Sequence, residues 1–247
     1  MNMASASRAD ASAATPAGRP VLVWDLPVRV FHWLMVLCFA GAWLTAESER
    51  WRLLHVTLGY TMGGLVAFRV LWGLIGTRHA RFASFVRGPR TVLAYLRSLV
   101  RGEPEHHVGH NPAGALAIVA MLGLVVGIVL TGHANFNDIG GEWAEDVHEA
   151  AASLMLALVG AHLAGVLASS WVHRENLARA MVTGRKLGMP QDGVRSAWRS
   201  VGVLMLLAVM AFWWLQWQSA PATAQSGGGI ATLTQKAAGP DDDHDDD

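Results

Sequence analysis

Four histidines stand where histidine is costly. His32, His55, His148 and His162 each fall in, or at the start of, a strongly apolar segment. A neutral imidazole there has two polar ring nitrogens to place at lipid depth, and such residues face functional interiors more often than lipid. His148 and His162, in "VHEAAASLMLALVGAHLAG", are fourteen residues apart. That is close to four helical turns, so both rings leave one face, about 21 Å apart along the axis. Two nitrogens on opposite sides of one metal lie only about 4 Å apart. The two histidines therefore cannot share a metal, and each must meet a histidine of another helix at its own depth.

The elements that position them are membrane helices. The chain has 247 residues, of which 52% are hydrophobic and only 15% charged, an apolar excess foreign to an ordinary soluble domain. Five apolar runs, roughly 28–46, 53–76, 113–132, 149–172 and 200–217, each approach the ~20 residues that cross ~30 Å of hydrocarbon. The expected fold class is all-α, an integral membrane helical bundle. Residues 1–20 carry no apolar core of a signal peptide and read as a flexible cytoplasmic tail. The single cysteine, Cys38, excludes an intrachain disulfide, no C-x-x-C-H haem-attachment motif is present, and Cys38 reads as a small packing residue.

Net charge is zero, yet Lys and Arg sort by connection. Arg8, Arg19 and Arg29 precede or open the first run. Arg78, Arg81, Arg87, Arg90, Arg97 and Arg101 fill the second connection, and Arg174, Arg179, Arg185, Lys186, Arg195 and Arg199 the fourth. The first connection has Arg50 and Arg52 alone, and the third has none. Basic loops stay cytoplasmic, so the N-terminus is expected inside and the C-terminus outside. Carboxylates collect on the outer side, ending in "DDDHDDD". No nucleic-acid partner is expected; membrane lipid is.

With that topology, His32 lies on the inner half of helix 1, His55 near the outer end of helix 2, His148 outer and His162 inner on helix 4. The matching layers are His32 with His162 and His55 with His148. Two bis-histidine layers imply two haems, since haem is apolar, has two axial positions and demands no cysteine. Zinc fits less well, because a closed structural site wants four ligands. Gly59 and Gly63 follow His55 by four and eight residues, nearly on its face, where a flat macrocycle or a neighbouring helix needs missing side chains. Arg69, fourteen residues after His55, and Arg29, three before His32, are placed to meet inner haem propionates or to anchor at the interface.

Elsewhere, Pro27 suits a first helical turn, Trp24 and Trp33 the interface, and Asn111-Pro112 a helix cap. "GPRTVLAYLRSLVRG" reads as an amphipathic helix lying on the cytoplasmic surface. Gly123 and Gly127 allow close helix contact. His79, His106, His107, His110 and His173 read as solvated residues of inner connections, His133 as an interfacial residue able to touch a quinone or a propionate, and His244 as part of a solvated charge run.

The pieces "VWDLPVRVFHW", "LLHVTLGY", "FRVLWGLIGTRHARF", "HNPAGALAIVAML" and "HRENLARAMVTGRK", with the two histidines of helix 4, resemble in order and spacing the bacterial cytochrome b561 family, which includes the cytochrome b subunit of nickel–iron hydrogenases. The resemblance spans roughly residues 21–187. It implies a four-helix core with two b-type haems, the ligands His32, His55, His148 and His162, and electron transfer between quinone and a redox partner, as an oxidoreductase subunit of a respiratory chain. The expected organisation is a dihaem domain over 21–187, a connection and fifth C-terminal transmembrane helix over 188–218, and a disordered acidic periplasmic tail over 219–247. The fifth helix and the tail depart from the family pattern. The tail could attract a periplasmic c-type cytochrome in place of a hydrogenase, and a homodimer is compatible with the chain. A quinone site is expected at the inner haem edge, near Arg69 and the basic second connection. Three other readings remain open: a stand-alone quinol oxidase acting on superoxide, a membrane anchor with structural haems, and a histidine-based metal transporter.

Overall fold

The structure is a computed structural model, and it describes residues 19–101, 109–172 and 174–219. The tails before 19 and after 219 lie outside the described residues, as do His106, His107, His173 and His244.

Among the described residues, five helices are long and apolar enough to cross a membrane. They are α1 (Leu26–Thr45), α2 (Arg52–Ile75), α5 (Pro112–Phe136), α6 (Glu142–Val172) and α8 (Arg199–Ser219). Short helices α3 (Phe82–Phe85) and α4 (Pro89–Val100) fill the second connection, and α7 (Leu177–Thr183) the fourth. The protein is thus an all-α, multi-pass membrane bundle.

Local chemistry fixes the helix starts. Asp25 caps α1, its Oδ1 accepting from the Val28 N–H at 2.9 Å, with Pro27 in the first turn. Asn111 caps α5 by accepting from the Gly114 N–H at 2.7 Å. Glu142 and Glu145 occupy the first turn of α6, where the helix dipole favours them. The hydroxyls of Thr45, Thr61 and Thr131 each donate to a carbonyl four residues back, so these three polar groups are satisfied within their own helices.

Helix α1 packs along α2, α5 along α6, α2 bridges to α5, and α8 lies against α1. The buried centre is Leu34, Cys38, Leu58, Met62, Leu65, Val66, Val125, Ile128 and Met155, joined by Met205 of α8. Trp213 of α8 donates its Nε1–H to Thr61 Oγ1 at 2.9 Å, tying the fifth helix to α2. A Cβ on Gly202 would fall 2.7 Å from Leu26 Cγ, so α8 meets the start of α1 backbone-close.

One element was not anticipated. Arg19–Leu22 (β1) pairs antiparallel with Arg185–Gly188 (β2), Arg19 opposite Gly188 and Leu22 opposite Arg185. Gly184, at φ 79°, lets the chain turn into β2 where a Cβ would lie 2.7 Å from the Trp24 carbonyl oxygen. This ribbon caps the arginine-rich end of the bundle.

Candidate functional site

Of the two expected histidine pairs, the one expected on the outer side, His55 with His148, has the more fully defined geometry. His55, in the first turn of α2, faces His148, in the second turn of α6, with ring centroids 6.2 Å apart and planes at 69°. His55 Nδ1 lies 2.9 Å from the Ala42 carbonyl oxygen, and His148 Nδ1 lies 2.9 Å from that of Ile128. Both carbonyls accept, so each Nδ1 carries the proton and each Nε2 keeps its lone pair. That is the tautomer a metal ligand requires. A metal between them would set the ring centres about 6 Å apart, from two bonds of about 2 Å and about 1 Å from each nitrogen to its ring centre. Thr131 Oγ1, 3.3 Å from His148 Nδ1, adds a second polar neighbour.

Glycines shape the same layer. A Cβ on Gly132 would stand 2.8 Å from His148 Cε1, so the ring occupies the place of a missing side chain. A Cβ on Gly59 would meet no atom within 4 Å, whereas one on Gly63 would press Val129 Cγ1 at 3.0 Å. Gly63 therefore has the helix-contact role, against α5, and Gly59 leaves room beside His55. Although the α6 histidines address α1 and α2, α6 packs along α5 and not closely along either of them. The spacing suits a flat group held between α6 and the α1–α2 pair.

The inner layer is assembled from more elements. His32 and His162 lie within electrostatic reach of each other, and His162 also of His110. Arg69 is buried, with its guanidinium 4.9 Å over the Phe82 ring and 6.0 Å from that of Phe85. Its Nη1 is buried without a hydrogen-bond partner. Arg69 thus does not reach out to the interface. Its cation is held among Phe82, Phe85 and His110, within electrostatic reach of Asp25. Arg29 instead donates to the Val182 carbonyl at the end of α7, and its Nε is buried without a partner.

Several residues here have roles the sequence reading did not give them. Asp25 is wholly buried and accepts from Val28 N, from Trp72 Nε1 at 3.0 Å and from Thr77 Oγ1 at 2.6 Å, so one carboxylate joins α1, α2 and the following turn. An Asp just before a Leu-Pro that opens an apolar run was the available signal. Trp24 is buried, not interfacial, with its ring 4.5 Å from that of His110 and 6.3 Å from that of His79. His79 and His110 are not solvated either. His79 Nε2 bonds the Asp192 carbonyl at 2.7 Å, and His110 packs between Trp24 and Phe85, its Nδ1 buried without a partner. Burial first, then the charges of Arg69, His79, Lys186 and His162, push the His110 pKa down to about 3. His133, at the other end, is exposed, with Nδ1 2.9 Å from the Tyr60 hydroxyl and 3.2 Å from Asn137 Nδ2.

Among the described residues, no three His, Cys, Asp or Glu side chains gather to hold a metal. What the bundle offers is pairs of imidazoles with apolar walls, glycine relief and a buried arginine. That donor set suits an iron porphyrin better than a bare ion.

Comparison with known proteins gives the same direction. The family model described as prokaryotic cytochrome b561 matches residues 23–184. The chain is 26% identical over 224 residues to the probable Ni/Fe-hydrogenase B-type cytochrome subunit of Bradyrhizobium diazoefficiens, covering 72% of this chain and 91% of that one. To the probable Ni/Fe-hydrogenase 1 B-type cytochrome subunit of Escherichia coli K12 it is 25% identical over 142 residues, covering 47% of this chain and 60% of that one. To the probable Ni/Fe-hydrogenase B-type cytochrome subunit of Azotobacter chroococcum it is 29% identical over 157 residues, covering 51% and 64%. No solved structure matches the chain.

Proposed function

The chain belongs to the prokaryotic cytochrome b561 family, and from that premise we propose that it carries electrons through two haems b between membrane quinone and a redox enzyme of hydrogenase type. The chain is a multi-pass membrane b-type cytochrome. In this proposal His55 and His148 hold one haem and His32 and His162 the other. The same proposal places the arginine-rich end in the cytoplasm of an inner membrane. The partner reading follows the names of the relatives, which are hydrogenase subunits.

The observation that carries this reading is the outer pair. Two rings from different helices stand 6.2 Å apart, each with Nδ1 committed to a backbone carbonyl. Haem bound by such pairs supplies one-electron redox chemistry. The chain's own part is to fix, orient and insulate. The Ala42 and Ile128 carbonyls lock the imidazole tautomers and raise their basicity as ligands. Gly132 and Gly59 keep side chains out of the layer. Arg69, a buried cation with a spare N–H, is placed to balance a propionate at the inner layer. The apolar core from Leu34 to Met155 keeps water away, which favours the less charged iron state and tunes the potential.

The test is a reduced-minus-oxidised visible spectrum with a haem-to-chain ratio, for the parent protein and for single alanine variants. A ratio of two is expected. His55→Ala and His148→Ala should each remove one and the same haem, and His32→Ala and His162→Ala the other. Loss of the same haem from His55→Ala and His162→Ala would refute the layering, and a folded colourless protein would end the reading.

A further inference from the structure

The arginine-rich end holds a cavity lined by cationic and hydroxyl side chains, apart from the four candidate ligand histidines. It encloses about 340 Å³ between α3, the start of α4, the start of α5 and the turn at Asp192. Arg78 and Arg87 line its mouth, Ser84 and Thr91 bring hydroxyls, and His79, Phe85 and His110 form its inner wall. Both arginines are exposed, and each spends one nitrogen on a backbone carbonyl. Arg78 Nη1 bonds Gln191 at 3.3 Å, and Arg87 Nη2 bonds Ser84 at 3.1 Å. A guanidinium has five donors, so most remain to be used.

Two helices begin here, α4 with Thr91 in its first turn and α5 just after Gly109 and His110, and each start adds the positive end of a helix dipole. Among the described residues the carboxylate on the wall is Asp192, turned back on its own turn with its Oδ2 accepting from Met189 N at 3.0 Å. His110 brings a further polar atom, the buried Nδ1 that has no partner among the described residues. Cations, hydroxyls and helix starts around a pocket of this size are the chemistry that receives a phosphate group.

The depth of the cavity fits a headgroup. Helix α4 leaves Leu93 and Leu96 uncovered by the rest of the chain and exposes Arg90, Arg97 and Arg101. A helix of that kind lies in the plane where acyl chains give way to phosphates. A second cavity of about 300 Å³ lies farther along α4, lined by Ala94, Arg97, Ser98 and Arg101, the same arginine-and-hydroxyl combination. Basic pockets beside membrane helices on such a face are suited to anionic lipid.

We propose that the cavity bounded by Arg78, Ser84, Arg87, Thr91 and His110 is a binding site for a phosphate-bearing anion, supplied by an anionic phospholipid of the adjacent leaflet or by a soluble phosphate compound. The site lies at the surface of the bundle's arginine-rich end, so its occupant braces the second connection against the start of α5.

The full chain, delipidated in a neutral detergent with its visible spectrum intact, tests this by thermal-shift titration. The probes are dioleoyl-phosphatidylglycerol, dioleoyl-phosphatidylcholine and sodium phosphate, at constant ionic strength. Phosphatidylglycerol should raise the unfolding midpoint saturably and phosphatidylcholine should not, which identifies the lipid source. A saturable response to inorganic phosphate identifies the soluble source. Arg78→Gln/Arg87→Gln should weaken the response about tenfold or more, as loss of charge-assisted bonds does. Arg179→Gln, an exposed arginine outside the cavity, should leave it unchanged. Thr91→Val, which keeps shape and removes one hydroxyl, provides a milder variant should the double one not fold, and it should weaken binding by several-fold. Equal responses from the parent protein and a folded cavity variant, or equal losses from Arg179→Gln, overturn the proposal, as does no response to either phosphate probe.

Discussion

Replacing Gly132 by Ala is the sharpest probe of the outer layer. The new methyl would stand 2.8 Å from His148 Cε1 and 3.1 Å from Nδ1, against the roughly 3.5–4.0 Å at which carbon atoms rest in contact. The ring cannot swing aside freely, because its Nδ1 is held by the Ile128 carbonyl at 2.9 Å and its other edge faces His55. Tilting an aromatic ring off its rotamer costs about 0.5–1.5 kcal/mol, and overpacking a filled interior typically about 1–3 kcal/mol. At about 1.4 kcal/mol per factor of ten, the outer haem should bind roughly 5- to 150-fold more weakly. Gly127→Ala is the matched control. It lies on the same helix, and its methyl would meet nothing within 4 Å. Both substitutions gain helix propensity by about 1 kcal/mol, so overall stability does not separate them and haem affinity does. Haem titration of the apoprotein, followed by the visible spectrum, should show one site weakened in Gly132→Ala and both sites intact in Gly127→Ala. Identical titrations for the two variants would refute the idea that the place of a missing side chain seats His148.

Further outcomes are expected elsewhere. Asp25→Ala strips the α1 cap, leaves the Trp72 and Thr77 donors unmet and isolates Arg69, so it should cost about 3–5 kcal/mol, the scale of breaking a buried charge network. Asp25→Asn, which keeps an acceptor, should cost less, as read from thermal unfolding in detergent. For His110, the folded-state pKa of about 3 lies below the unfolded value. Between those values the unfolded chain binds the extra proton, so stability falls as pH drops from about 6.5 toward 3 and is level above that window. His110→Phe, which keeps a ring between Trp24 and Phe85, should flatten that decline in melting temperature against pH. Ending the chain after Trp198 removes α8 and none of the four candidate ligands, so the haem-to-chain ratio should be unchanged while the melting temperature falls.

The spans were legible because membrane thickness, at a 1.5 Å rise per residue, fixes helix length. Helix-start chemistry was legible at Pro27 and Asn111 for the same local reason. What escaped the sequence depends on residues far apart in it. Asp25 gains its role from Trp72 and Thr77, 47 and 52 residues on. His79 and His110 looked like loop residues because nothing local shows that the connection folds back under Trp24. Gly132 stood unremarked in "LTGHAN" since only the neighbouring helix reveals what fills the place of its side chain. The ribbon escaped because a four-residue strand beside a proline carries almost no periodic signal.

That ribbon makes the start and finish of the four-helix unit neighbours. Leu22 sits opposite Arg185, so the segment from β1 to β2 leaves and returns to one spot on the same bilayer face. A unit stitched at its ends in this way is topologically a ring. Its continuity need not run through the turn between α5 and α6: a short linker joining 188 to 19, with new termini opened in that turn, should give a rearranged chain that still assembles the four-helix unit. It also makes α8 an appendage stepping off from the seam, a helix that could be exchanged or lost without rethreading the rest.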